Sequence, residues 1–151
     1  VFIASGYGPH VFAWGVQFAL QRMKVASIPG GGMTSEMRVN IIERFKPTIL
    51  CCTISYALHL GRVMQGRGLD PAKSSIRMLF VGGEPGTGII NTRNRLKNLW
   101  GADIKEFYGC TEVSPHAGGY SCSHAEVSEE VVATHLMEDI QILPTYHLKK
   151  E

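Results

Sequence analysis

Short apolar runs alternating with helix-length segments constrain this chain more than any other feature. Thr48-Ile49-Leu50-Cys51-Cys52, Met78-Leu79-Phe80-Val81 and Ile104-Lys105-Glu106-Phe107 each read as a buried strand, and Val25 to Ile28 as a fourth. Helices are expected between them. One runs from about Pro9 to Met23. A second is capped by Thr34 or Ser35 and continues to about Phe45, with Met37, Ile41 and Ile42 on one face. A third runs from Ser55 to Gln65, ended by Gly66 and Gly68, and a fourth from Gly88 to Leu99. Strands separated by helices imply an α/β fold: a mostly parallel sheet with helices on both faces.

Two loops in this frame carry the chemistry. Gly82-Gly83-Glu84-Pro85 and Tyr108-Gly109-Cys110-Thr111-Glu112 have 22 residues between them, and each follows a strand. A strand–helix–strand unit of this length makes two parallel neighbours, so both loops leave at the same edge, where open α/β sheets bind ligands. The second loop offers an aromatic face for a base, a hydroxyl for a phosphate oxygen and a carboxylate for a divalent cation. That set suits a nucleotide with its metal.

Composition narrows the class. With 151 residues, 44% of them hydrophobic, the chain can fill one core. A net charge of +2 without any Lys/Arg cluster beyond Lys149-Lys150 argues against nucleic acid as a partner. No apolar run approaches the ~18 residues of a membrane span, so no membrane partner is expected. There is no basic-then-apolar leader, although a chain opening on Val1 allows for a lost start. Four cysteines without a secretory signal fit reduced thiols in a cytoplasm. Adjacent Cys51 and Cys52 alternate faces of a strand and are not expected to bridge.

The two loops resemble the adenine and phosphate motifs of the acyl-adenylate-forming ligases, and more narrowly the phenylacetate–coenzyme A ligase and coenzyme F390 synthetase-like branch. Supporting stretches follow in the family's order: Ile28-Pro29 with Gly31-Gly32-Met33-Thr34, Phe45 to Thr53, Ser55-Tyr56-Ala57-Leu58, and His135-Leu136-Met137-Glu138-Asp139. The resemblance runs from about Gly6 to Asp139. It implies that Gly83, Glu84 and Pro85 wall the adenine site, that Tyr108 stacks on the base, and that Gly109 belongs to the same nucleotide motif. It further implies that Thr111 contacts phosphate, and that Glu112 holds Mg²⁺ bridging phosphate oxygens. Thr111 and Glu112 are then the residues nearest the chemistry, where a carboxylate meets an α-phosphate and two anions need a cation. Ser55, Tyr56 and Ala57, with Gly82, would build the pocket for an aryl carboxylic acid. Taken alone, Tyr108 and Glu112 also read as a strand-end aromatic and a helix-capping acid. Ser55-Tyr56 equally reads as a helix start with a core tyrosine.

Other constellations are weaker. Gly6-Tyr7-Gly8 imitates a dinucleotide fingerprint, but Val11 replaces the third glycine and no acid follows until Glu36. Gly82 to Gly88 imitates a phosphate loop without the Gly-Lys-Ser/Thr that completes one; Ile89-Ile90 follow instead. Cys110, His116, Cys122 and His124 are dense enough for zinc, yet their spacing matches no standard site, and zinc is not favoured. His135 with Glu138 and Asp139 reads as a structural cluster. No Gly-x-Ser-x-Gly elbow exists.

The resemblance also implies parts not found between Val1 and Glu151: a Ser/Thr/Gly-rich phosphate loop, a ribose-binding Asp and a lid domain with a catalytic Lys. Residues 1–139 are therefore read as the middle of an AMP-binding adenylation domain, and 140–151 as a divergent or truncated tail. The expected function is a share in an ATP-dependent acid–coenzyme A ligase using ATP, Mg²⁺ and coenzyme A, with an aryl acid such as phenylacetate as substrate. The fragment alone is expected to be inactive. Its partners would be the rest of its own adenylation domain and the lid, with a homodimer left open. Two alternatives remain: an adenylating enzyme of the same branch with another acceptor, and a non-catalytic nucleotide-binding or interaction remnant.

Overall fold

In a computed structural model, residues 1–109 and 119–120 are described. The elements are β1 (Phe2–Ile3), α1 (Phe12–Arg22), β2 (Ile28–Pro29), α2 (Ser35–Phe45), β3 (Ile49–Cys52), α3 (Ile54–Gly66), a 3-10 turn (Pro71–Lys73), β4 (Met78–Gly82), α4 (Ile90–Trp100), β5 (Asp103–Tyr108) and β6 (Gly119–Tyr120). They form one sheet in the order β2-β1-β3-β4-β5-β6. All pairings are parallel except β5 with β6. The expected α/β class, a mostly parallel sheet covered on both faces, is therefore observed.

Alternation along the strands sorts the core into two layers. Phe2, Leu50, Cys52, Leu79, Val81 and Ile104 meet Val39 and Ile42 of α2, Ala57, Leu60 and Met64 of α3, and Leu96 and Trp100 of α4. Ile3, Cys51 and Phe80 point to the other face, against Ala13 and Val16 of α1. Phe107 joins that face, stacked on Phe80 at 4.6 Å and on Phe12 at 5.3 Å between ring centroids. Cys51 and Cys52 thus lie on opposite faces as free thiols. The Trp100 indole donates to the Ala57 carbonyl (3.1 Å), pinning α4 to α3.

Several boundaries differ from expectation for identifiable reasons. The run Val1 to Ala4, for which no strand was expected, supplies β1, paired on both sides within the sheet. The strand expected at 25–28 begins at Ile28, because α1 ends in a Schellman-type cap. Lys24 takes a left-handed φ of 55°, and the Val25 N–H reaches back to the Leu20 carbonyl. Met37 is 51% exposed and does not share the buried face of Ile42. Arg38 and Val39 turn inward there instead. Gly119–Tyr120, where no strand was expected, forms the antiparallel strand β6. Thr34 caps α2 as expected, accepting from the Met37 N–H.

Leu79, fully buried in the layer against α2, α3 and α4, should cost about 2–5 kcal/mol when changed to Ala. Phe18→Ala, at a side chain 57% exposed, should shift stability by no more than about 0.5 kcal/mol. Urea unfolding of the two variants checks the layer assignment.

Candidate functional site

The C-terminal ends of β3, β4 and β5 lie side by side, so the loops after them share one edge of the sheet. Thr53, the N-cap of α3, accepts from the Tyr56 N–H at 3.3 Å. Ser55 belongs to the first turn, where backbone N–H groups have no helical partner. The Glu84 carboxylate supplies one: it accepts from the Ser55 N–H, and from Ser55 Oγ at 3.1 Å. Ser55 and Glu84 are thus brought into contact from two different loops.

The turn that carries Glu84 is possible because of its glycines. A Cβ on Gly82 would stand 2.5 Å from the Phe107 ring and 2.6 Å from the Phe107 carbonyl, so β4 and β5 can close together only around glycine. Gly83 adopts a φ of +84°, which strains any other residue. Tyr108 ends β5 with 56% of its surface exposed, leaving a ring face open at this edge.

Tyr56 and Ala57 have other surroundings. Tyr56 Oη lies 3.1 Å from Ser35 Oγ, which also stands 3.1 Å from His59 Nε2. The Arg38 guanidinium sits over the Tyr56 ring at 4.8 Å, while its Nε and Nη2 donate to the Gly30 carbonyl at 3.1 and 2.9 Å. A charge only 8% exposed is thereby satisfied by carbonyl and ring together. Ala57 is wholly buried in the helix-covered core. Thr111 and Glu112 lie outside the described residues, as do Cys110, His116, Cys122, His124 and the His135 to Asp139 stretch. Among the described residues, no group of three or more His, Cys, Asp or Glu could hold a metal ion.

Four features were not singled out from sequence. β1 and β3 are neighbours whose onward connections lead to opposite sides of the sheet. Their ends therefore form a topological switch point, the usual ligand crevice of such sheets. Tyr7 lies in the loop after β1, with Oη donating to Gln17 at 3.1 Å; the imitation of a dinucleotide fingerprint had drawn attention only to its glycines. Glu106 is 7% exposed on β5, and burial pushes its carboxyl up to about 7 against the opposing pull of Arg93. An acid inside an otherwise buried strand was the available signal. Thr87, beyond the Gly82 turn, buries its hydroxyl without a hydrogen-bond partner among the described residues. Cys51 and Cys52 are not nucleophiles here, since burial raises Cys51 to about 12 and Cys52 well above its ordinary value. A cavity of about 540 Å³ beside Met64, Asp70 and Arg77 opens at the opposite end of the sheet.

The same fold is found in solved acyl-CoA ligases. A 2-hydroxyisobutyryl-CoA ligase, solved in an open conformation with 2-HIB-AMP and CoA, superposes with a TM-score of 0.76 at 24% identity, covering 82% of this chain and 28% of that one. A luciferase-like enzyme from the mealworm Zophobas morio superposes with 0.63 at 20% identity, covering 91% and 29%. In sequence, the chain is similar to phenylacetate–coenzyme A ligases. It is 28% identical to that of Aromatoleum evansii over 140 residues, 93% of this chain and 31% of the relative. The Thermus thermophilus enzyme is 28% identical over 136 residues, 90% and 29%. The resemblance to this branch therefore extends along most of the chain, which spans about a third of the relatives' length. No protein-family model matches the chain.

The position of Glu106 makes stability pH-dependent with a definite sign. Its folded pKa is raised from 4.5 to about 7, so between those values the folded state holds a proton that the unfolded state has lost. Its contribution is present at acid pH and disappears as pH rises through that window, by on the order of 3 kcal/mol at most. Urea titrations from pH 4 to 8 should show this decline in the native chain and lose it in Glu106→Gln.

Proposed function

We propose that residues 1–139 are the middle of the adenylation domain of an ATP-dependent acid–coenzyme A ligase, with 140–151 a divergent tail. The observation that carries this reading is the meeting of Ser55, Gly83-Glu84-Pro85 and Tyr108 at the ends of three adjacent parallel strands. A base can stack on the exposed Tyr108 ring, with the backbone of Gly83 to Pro85 framing its edge. The acid lies toward Ser55 and Tyr56, with Ala57 behind them in the core, while the space beside Gly82 is taken by Phe107.

The reaction joins the two ligands. A carboxylate oxygen attacks the α-phosphorus of ATP, a P–O bond forms, and pyrophosphate leaves with the electron pair of the broken anhydride bond. The sulfur of coenzyme A then attacks the acyl carbon, and AMP departs. Thr111 would bond a phosphate oxygen, and Glu112 would hold Mg²⁺, which would offset the charge gathering on the phosphates. Similarity to phenylacetate–coenzyme A ligases supports an aryl acid, phenylacetate foremost, as the substrate in this reading. Cytoplasmic placement suits the metabolites and the thiols. Among the described residues, no helix is long and apolar enough to cross a membrane.

Residues 1–151 alone should show no acid-dependent ATP–pyrophosphate exchange, because rate depends on holding all reactants in register and the chain spans only part of its relatives. Exchange above a blank, from protein free of host ligase, would make the remaining parts dispensable.

The positive test is a chimera in which this chain replaces the matching third of the Thermus thermophilus ligase. It should form adenylate, and Glu112→Gln should slow single-turnover adenylation about 10²-fold while acid binding changes little. Normal adenylation with weakened acid binding would remove Glu112 from the metal role.

A further inference from the structure

An exposed-loop glutamate would ordinarily be left to solvent, yet both oxygens of Glu84 are engaged by one residue 29 positions away. The reason lies in the first turn of α3. Thr53 uses its side chain on the Tyr56 N–H, which leaves the Ser55 N–H without a helical acceptor. The Glu84 carboxylate fills that vacancy from a neighbouring strand. A negative group is also favoured there by the helix dipole. Two further contacts press the same loop onto the same turn. Gly86 packs so closely that an added Cβ would lie 3.1 Å from Ile54 Cδ1, and one on Gly83 would lie 3.7 Å from Thr53 Cγ2.

We infer that Glu84 is a positioning residue: its carboxylate fastens the loop after β4 to the first turn of α3, so that this loop presents its backbone rather than its acidic side chain to a ligand. Under the ligase reading, on which this part rests, the nucleotide wall (Gly83 to Pro85) and the acid wall (Ser55 and Tyr56) share this bond. Ordering one wall then orders the other, and the coupling is reciprocal.

Amide hydrogen exchange of the full chain, read over residues 53–57 and 82–87 against β3 and β4 amides as internal reference, tests the tether. Glu84→Ala should speed exchange in both segments together, about tenfold, as expected for losing a charge-assisted bond. Ser55→Ala, which removes only the hydroxyl, should do the same more weakly. Glu84→Gln should stay within about threefold of the native chain, because an amide oxygen still accepts from the Ser55 N–H. The double variant Ser55→Ala with Glu84→Ala should be no worse than Glu84→Ala. Faster exchange confined to 82–87 in Glu84→Ala, or effects that multiply in the double variant, would overturn the tether. Faster exchange of the reference amides as well would mean global unfolding, and the Ser55→Ala and Glu84→Gln results then decide.

Adding AMP to the chimera with the Thermus thermophilus ligase, which supplies the rest of the domain, separates the tether from the ligase reading. In that chimera AMP should protect 82–87 and, through Glu84, 53–57; with Glu84→Ala protection should stop at 82–87. Equal spread to 53–57 in both would overturn the coupling. No AMP effect on a folded chimera that keeps the tether signature would overturn the nucleotide reading, with Glu84 still the fastening of the loop.

Discussion

Parallel pairing of β1, β3, β4 and β5 requires that each strand be buried on both faces, and the rest of the molecule follows from that requirement. Parallel neighbours cannot be joined by tight turns, so helices must cross over the sheet between them. Cys51 and Cys52, adjacent in one strand, show the consequence: one meets α1, the other meets the helices of the opposite face. Burial then makes both thiols chemically inert, and chemistry is displaced to the loops at the strand ends.

At that edge, the shape of the loops depends on how the helix starts and turns are satisfied. The first turn of α3 is completed by its own Thr53 and by Glu84 from the next strand. The β4 turn can pass only because Gly82 leaves room for the Phe107 ring and Gly83 reaches positive φ. Buried polar groups surround the same edge. Arg38 is held by a carbonyl and an aromatic ring, and Glu106 answers burial by holding its proton to higher pH.

The proposed ligase reaction brings a carboxylate and a triphosphate together, so it needs walls that hold two anions in register. The described edge offers a stacking ring, a backbone-lined turn and a helix start. The relatives are about three times as long, which is consistent with a site completed by further segments in the proposed enzyme. Similarity to 2-hydroxyisobutyryl-CoA ligase at 24% identity establishes the shared architecture, and the choice of acid rests on the sequence relatives.

Periodicity and punctuation were enough to reveal β3, β4, β5, α1 to α4 and the common edge of the Gly82 and Tyr108 loops, because those signals are local. An apolar run bounded by turn residues reads as a strand, and parallel connection follows from helix-length spacers. Sequence left open whether Tyr56 belongs to the core or to a pocket. The fold answers with a ring under Arg38 whose hydroxyl meets Ser35, contacts formed by residues far apart in the chain. β1 was missed because a run this short is recognisable as a strand only by its partners on both sides, and β2 was displaced by a helix cap using Lys24 where glycine is usual. The Ser55–Glu84 bond, the inward turn of Arg38 and the raised pKa of Glu106 had no local signal. Each depends on which neighbour supplies a hydrogen bond or removes water, and only packing across the sheet decides that.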